Sequence, residues 1–267
     1  MTDDRRRKAP LTDWYRHPKY YEAIFGPDTE RELDFLEAMN ALHGTGGGTF
    51  LEPACGAGRL VEAAVRRGHT VVGYDLSPEM LDHAKARLPA KLRSRAHLSL
   101  DRMQTFCPPE WRGRIDLAFS LVSTFRYIDS EEGALSHLEN TRALLKPGGL
   151  YVLGFHLTEY ARETVEHERW VGRVDDESVV CNTREWPPER RLRRARMRNR
   201  LRISGPRGSF TIETNWYFRT WSQNEAASLL ARAGFELVAL HGFDADLSEP
   251  QSWTGDRLDR LMVLRPA

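Results

Sequence analysis

The chain has 267 residues, 40% of them hydrophobic and 29% charged, with a net charge of +1. This balance excludes a membrane-spanning run of about 18 apolar residues, a disordered or fibrous composition, and a global cationic field for nucleic acid, so any such affinity needs a local cluster. The length suits one main α/β domain with an elaboration better than two equal domains.

The start, Met1 to Lys8, is polar and carries Arg5, Arg6, Arg7 and Lys8 with no apolar segment behind it. It reads as a mobile tail rather than a secretory signal. Residues 1–27 are expected as a mobile N-terminal arm whose aromatic stretch is Trp14, Tyr15, Tyr20, Tyr21 and Phe25. A helix follows, with Asp28 as its cap and Leu33, Leu36, Met39 and Leu42 at helical spacing, before the breaker run Gly44 to Gly48. From Thr49 the pattern alternates. Strands are expected at Thr49–Glu52, Thr70–Tyr74, Leu98–Leu100, Ile115–Ser120 and Leu150–Phe155. Between them lie helices from Arg59 to Arg67, from Pro78 behind a Ser77 cap, and from Ser130 to Leu145, stopped by a Lys146-Pro147-Gly148-Gly149 turn. This rhythm predicts a parallel sheet covered on both faces.

From Thr158 to about Trp221 the grammar changes to long segments of period two without helices. Strands are expected at Val165–Val174, Ser178–Trp186, Leu192–Ile203 and Ser209–Thr220, with turns at Asp175-Asp176, Pro187-Pro188 and Gly205-Pro206. The α/β rhythm then returns with a capping box at Ser222-Gln223-Asn224-Glu225, a helix to Gly234, and strands at Phe235–His241 and Leu261–Leu264. The three cysteines, Cys55, Cys107 and Cys181, have no C-x-x-C spacing, which points to a reducing cytoplasm and to neither a disulfide framework nor a zinc site. Cys55 reads as a small buried filler.

The chemistry concentrates where the first strand runs into Glu52-Pro53-Ala54-Cys55-Gly56-Ala57-Gly58-Arg59. Glycines at a strand-to-helix turn let backbone approach a ligand closely, and ligands bind at the carboxyl ends of parallel strands near a topological switch point. A dinucleotide fingerprint would require a small residue where Val61 stands, which argues against NAD. About twenty residues on, Asp75 ends the second strand, placed to accept ribose hydroxyls. Asp101 ends the third, with Arg102 and Met103 behind it, suited to an adenine amine and ring face.

With the Lys146–Gly149 turn, these features resemble the class I S-adenosylmethionine-dependent methyltransferases, whose acidic glycine loop, ribose acid, adenine acid and "KPGG" turn all occur here in order. The resemblance covers roughly Leu33 to Phe155 and returns from Tyr217. It implies a Rossmann-like seven-stranded sheet of order 3-2-1-4-5-7-6 with the last strand antiparallel. Residues 28–157 and 221–267 would then form the S-adenosylmethionine-binding domain, with residues 158–220 as an inserted antiparallel β lid. It also implies Glu52, Ala54, Gly56 and Gly58 around the methionine portion of the cofactor, Asp75 and Leu76 at the ribose, and Asp101, Arg102 and Leu121 at adenine. Met80, Met103, Tyr20 and Tyr21 join the expected cofactor-binding set, the tyrosines by closing over the sulfonium. Pro53 and Ala54 depart from the residues usual in that loop.

The segment Leu121-Val122-Ser123-Thr124-Phe125-Arg126-Tyr127 looks like the glycine and amino-sugar N-methyltransferase subgroup. The function so implied is in-line methyl transfer to a small-molecule amine or hydroxyl, with a homodimer compatible and no membrane partner. An amine needs only to arrive unprotonated, whereas a hydroxyl needs a base, for which Tyr127 and His156 are the catalytic candidates. The alternatives are a nucleic-acid or protein methyltransferase and a non-catalytic S-adenosylmethionine-binding protein. The first would dock on the row Arg194, Arg196, Arg198, Arg200 and Arg202. The same row fits a solvated face cross-paired with acids such as Glu166, Glu168 and Glu213.

Overall fold

The computed structural model describes residues 13–248, 250–253 and 257–267. The basic tail at Arg5 to Lys8 lies outside the described residues. Among those described, no helix is long and apolar enough to cross a membrane.

Five parallel strands form the body of the larger sheet: β1 (Thr49–Pro53), β2 (Thr70–Asp75), β3 (Ala96–Leu100), β4 (Ile115–Ser120) and β5 (Leu145–His156). The late strands β10 (Phe235–His241) and β11 (Asp259–Pro266) complete it in the order β10-β11-β5-β4-β1-β2-β3, with β11 antiparallel to both neighbours. This is the expected 3-2-1-4-5-7-6 order. Alternation along each strand sends side chains to two cores. Leu51 and Val72 pack on the side of α5 (Glu131–Leu144) and α6 (Gln223–Arg232). Phe50 and Val71 pack against α2 (Thr29–His43), α3 (Arg59–Arg66) and α4 (Pro78–Arg87). Ser77 caps α4 through the Met80 N–H, and the Ser222/Glu225 capping box opens α6.

Between β5 and α6 the chain builds a second sheet, the antiparallel meander β6 (Glu166–Val174), β7 (Glu177–Glu185), β8 (Arg194–Gly205) and β9 (Gly208–Arg219). Its inner face packs Val179, Cys181, Leu201, Ile203 and Ile212 against the N-terminal aromatic stretch.

Four local expectations need correction. The arm expected as mobile to residue 27 is folded from Trp14, as a 3₁₀ turn (Trp14–Arg16) and helix α1 (Pro18–Phe25), because Trp14 and Tyr20 are buried in the inner-face cluster. Asp28 stands at the N-cap position of α2, but its carboxylate makes no capping hydrogen bond and pairs with Arg31 instead. Lys146 to Gly149 is no free turn but a wide bulge inside β5, where Ile115 faces Leu145 and Leu117 faces Leu150. The buried Asp116 holds it, accepting from Lys146 Nζ (2.8 Å), Thr45 Oγ1 (2.6 Å) and the Thr49 N–H (3.0 Å). Leu192, expected to open a strand, sits in a 3₁₀ turn (Arg190–Leu192), so the strand starts at Arg194.

Candidate functional site

After β3 the chain returns to the other side of β1, so the loops leaving β1 and β4 diverge and open a crevice at the strands' carboxyl ends. Both loops are conformationally demanding. Ala54 (φ 52°), Gly56 (φ 54°), Gly58 (φ 72°) and Ser123 (φ 61°) adopt left-handed backbone. The two glycines serve different ends. A Cβ on Gly56 would meet nothing within 4 Å, because that position faces the crevice. A Cβ on Gly58 would lie 2.6 Å from Ala84 Cβ, so this glycine lets α3 and α4 pack closely.

Three adjacent cavities occupy the crevice, and Tyr21 and Thr124 line all of them. The first, about 440 Å³, is bounded by Gly56, Asp75, Leu76, Met103, Tyr15 and Tyr127. The Asp75 carboxylate is fixed by the Gly56 and Ser77 N–H groups, each at 2.8 Å. Burial raises its pKa against those hydrogen bonds. Each oxygen retains a second lone pair, and the exposed Leu76 offers an apolar surface beside it.

The second cavity, about 40 Å³, lies between Glu52, Ala54, Gly56, Leu121 and Tyr21. Glu52 is buried, and its Oε2 has no hydrogen-bond partner among the described residues. Burial pushes its pKa up to about 8, with Arg59 opposing; Arg59 is itself paired with Glu32. An orphaned buried carboxylate oxygen beside a glycine turn is a receptor for a cationic, hydrogen-bond-donating group.

The third cavity, about 320 Å³, lies under the inner face of the antiparallel sheet, walled by Trp14, Phe25, Trp170, Phe218 and Phe243 with Tyr15, Tyr21 and Tyr127. Its polar groups are Ser123, Thr124, Arg126, His156, Glu168 and Asn199. Tyr15 donates to Tyr127 Oη at 2.9 Å, and burial raises both phenol pKa values. His156, at the end of β5, packs edge-on against Phe243. Burial, reinforced by Arg126, lowers its pKa to about 4, so it is neutral at pH 7. Arg126 is buried and donates to Glu185 at 3.3 Å.

The crevice therefore gathers Glu52, Ala54, Gly56, Asp75, Leu76, Met103, Leu121, Tyr21, Tyr127 and His156. It does not gather the rest of the expected set. Met80 is fully buried on α4 and lines none of the three cavities. Tyr20 is turned from Tyr21 by one helical step and donates instead to Glu177 on the sheet (3.1 Å), packing edge-on against Phe210. Asp101 follows β3, and its Oδ1 accepts from the Arg102 N–H (2.7 Å) and Thr105 Oγ1 (3.1 Å); Arg102 is exposed. Cys55 is buried with its thiol pKa pushed up, as a packing residue requires.

Sequence reading missed Glu168, Asn199, Trp170 and Phe218 as cavity residues. A signal existed: period two puts Glu168 with Trp170, and Asn199 with Leu201, on one face of each strand. The arginine row occupies the opposite face. Arg200 pairs with Glu213 and Arg194 with Glu189, while Arg196 and Arg198 stack over Trp186. Of the acids expected to pair with the row, Glu166 bonds Arg162 instead, and Glu168 faces the cavity.

Residues 50–149 match the methyltransferase domain family. Among curated proteins, the ubiquinone biosynthesis O-methyltransferase of Bradyrhizobium sp. is 34% identical over 125 residues, which are 46% of this chain and 44% of that protein. The magnesium-protoporphyrin O-methyltransferase of Rhodobacter capsulatus is 37% identical over 78 residues, 29% of this chain and 34% of that protein. The chain thus spans about half or less of the length of the curated relatives it matches. Solved structures share the fold over nearly the whole chain. A sugar N-methyltransferase of Streptoalloteichus sp. is 17% identical with a TM-score of 0.69, covering 98% of this chain and 97% of that one. An S-adenosylmethionine-bound amino pentose methyltransferase of Micromonospora echinaspora is 18% identical with a TM-score of 0.66, covering 97% and 99%.

Proposed function

We propose that this chain, which carries a methyltransferase domain at residues 50–149, binds S-adenosylmethionine across the crevice and methylates a small acceptor, by preference an amine, held under the antiparallel sheet. The observation that carries this reading is that the three cavities meet at shared walls, Tyr21 and Thr124: one end suits an adenosyl amino acid, the other a compact aromatic-walled guest. The residues fit the cofactor on their own chemistry. Glu52, with its orphaned oxygen, receives the amino acid ammonium, and Asp75 accepts the ribose hydroxyls. Leu76 and Met103 cover the adenine face. S-adenosylmethionine, when bound, supplies a sulfonium-activated methyl group.

What the chain adds is alignment and exclusion of water. Tyr21 and Tyr127 close the junction between cavities. Tyr127, kept as a phenol, is a hydrogen-bond donor or acceptor, and His156, neutral at pH 7, orients an N–H or O–H by accepting from it. A histidine whose pKa is near 4 is a weak base, and no ionised phenol stands ready. That set is adequate for an amine, which attacks once unprotonated, and poor for an unactivated hydroxyl. The names of the curated relatives motivate the second reading, O-methylation. Turnover separates them: the protein is incubated with S-adenosylmethionine and matched panels of small amines and alcohols, and S-adenosylhomocysteine release is measured. Release with amines supports the proposal and release only with alcohols the second reading. Cofactor binding without turnover supports a sensor.

A further inference from the structure

The polar residues of the third cavity are organised by sheet register. Glu168, Thr183, Asn199 and Thr214 face one another in one row across β6, β7, β8 and β9. On one side runs the apolar row Trp170, Cys181, Leu201 and Ile212; on the other lie Met197 and Trp216. Two members of the polar row are internally satisfied: Thr183 Oγ1 donates to Asn199 Oδ1 at 2.8 Å, and Thr214 Oγ1 accepts from the Trp14 N–H at 3.2 Å. Asn199 is 2% exposed, yet its amide NH2 meets no partner among the described residues. Glu168 lines the cavity from its open side and makes no ion pair or hydrogen bond among the described residues.

The other charge in the lining, Arg126, is committed to Glu185, which Arg162 also binds at 3.1 Å. Glu168 is therefore the uncommitted charge of this cavity. It is negative, and the walls around it are π faces, Trp170 and Phe25 5.9 Å apart among them. Glu168 is exposed at the cavity's open side; partial desolvation there raises its pKa, and Glu185 and Glu166 add like charge, so its surroundings favour an incoming positive group.

Building on the acceptor pocket assigned above, we propose that Glu168 binds the acceptor's amine as it arrives as an ammonium and takes up its proton before the freed lone pair attacks the methyl group, with the Asn199 amide donating to an adjacent oxygen and the aromatic walls covering the carbon skeleton. The acceptor class is thus a compact amine bearing a neighbouring hydroxyl or carbonyl oxygen. A carboxylate and a ring face both attract an ammonium and give nothing comparable to a hydroxyl.

The test uses cyclohexylamine and cyclohexanol as matched probes at pH 8, where the amine is still charged. Binding to the full chain is followed by tryptophan fluorescence, with and without saturating S-adenosylhomocysteine. The wild type is expected to bind the amine at least about tenfold more tightly than the alcohol, and Glu168→Gln to lose most of that preference while Glu168→Asp keeps part of it. Unchanged S-adenosylhomocysteine affinity in Glu168→Gln shows that the variant is folded. No amine preference in the wild type, or a preference that survives Glu168→Gln, overturns the inference. Failure of the wild type to bind S-adenosylhomocysteine sinks the methyltransferase reading instead, and is read out separately.

Discussion

The two ends of the crevice are built in different ways. The end at β1 and β2 is made largely of backbone: a loop of left-handed residues, two N–H groups clamping Asp75, and one orphaned carboxylate at Glu52. The end under the antiparallel sheet is made of side chains from Trp14 on the N-terminal turn, Tyr127 after β4, His156 on β5, and Glu168, Asn199 and Phe218 on three strands of the meander. Backbone geometry gives a general receptor for one ligand type, whereas a wall assembled from separate segments can vary one side chain at a time.

A pair of glycines sharpens this contrast. A Cβ on Gly154 of β5 would lie 1.8 Å from the Leu121 carbonyl oxygen, and one on Gly172 of β6 would lie 2.0 Å from that of Ala23. Backbone cannot yield at the first contact, because both partners belong to the central sheet and its switch-point loop. Gly154→Ala is expected to cost more than about 3 kcal/mol in urea unfolding and to disturb both cavities. Gly172→Ala pushes only α1 off the meander. It is expected to cost about 1 to 3 kcal/mol and to speed proteolysis within residues 13–28, leaving the central sheet's exchange protection intact. Equal, global losses would erase the distinction.

Acid tests the core behind the backbone-built end. His137 is fully buried between Met103 O (3.1 Å) and Tyr151 Oη (2.9 Å), and burial lowers its pKa to about 4. A histidine whose folded pKa is depressed takes up its proton more readily when unfolded. Stability is therefore full above about pH 6.5 and is lost as pH falls toward 4, by about 2 to 3 kcal/mol from this residue. His137→Gln should flatten that slope in unfolding measured from pH 7.5 to 4.5; an unaltered slope would assign the effect elsewhere.

A smaller effect concerns Glu52, whose pKa near 8 leaves it mostly protonated at pH 7. Pairing with an ammonium requires the carboxylate. S-adenosylhomocysteine affinity should thus rise between pH 6 and 8, by at most about tenfold per unit, with proton release on binding. Glu52→Gln should remove the dependence, and a flat wild-type profile would show that Glu52 is not the receptor.

The same contrast explains what the sequence disclosed. Glu52 to Gly58 and Asp75 were legible because their signals are local, a strand, a glycine turn and an acid at fixed spacing, whereas the strand order came from the family that those motifs resemble. Met80 and Tyr20 were misplaced for a different reason. Each sits beside a true lining position, and one step along a helix turns a side chain by about 100°. Tyr21 therefore faces the crevice while Tyr20 faces Glu177. Glu168 and Asn199 act through cross-strand register, which joins residues about thirty apart and has no local mark. The Lys146–Gly149 bulge was hidden likewise, since its cause is the buried Asp116 on a neighbouring strand.

The central claim is that the Gly56 turn and the Asp75 carboxylate together hold an adenosyl amino acid. Isothermal titration of S-adenosylhomocysteine into the wild type and Asp75→Ala, with both melting temperatures recorded, tests it directly. The account predicts binding to the wild type and a loss of about 1.5 to 3 kcal/mol in the folded variant. Equal affinity in the two proteins, or no binding to the wild type, would contradict it.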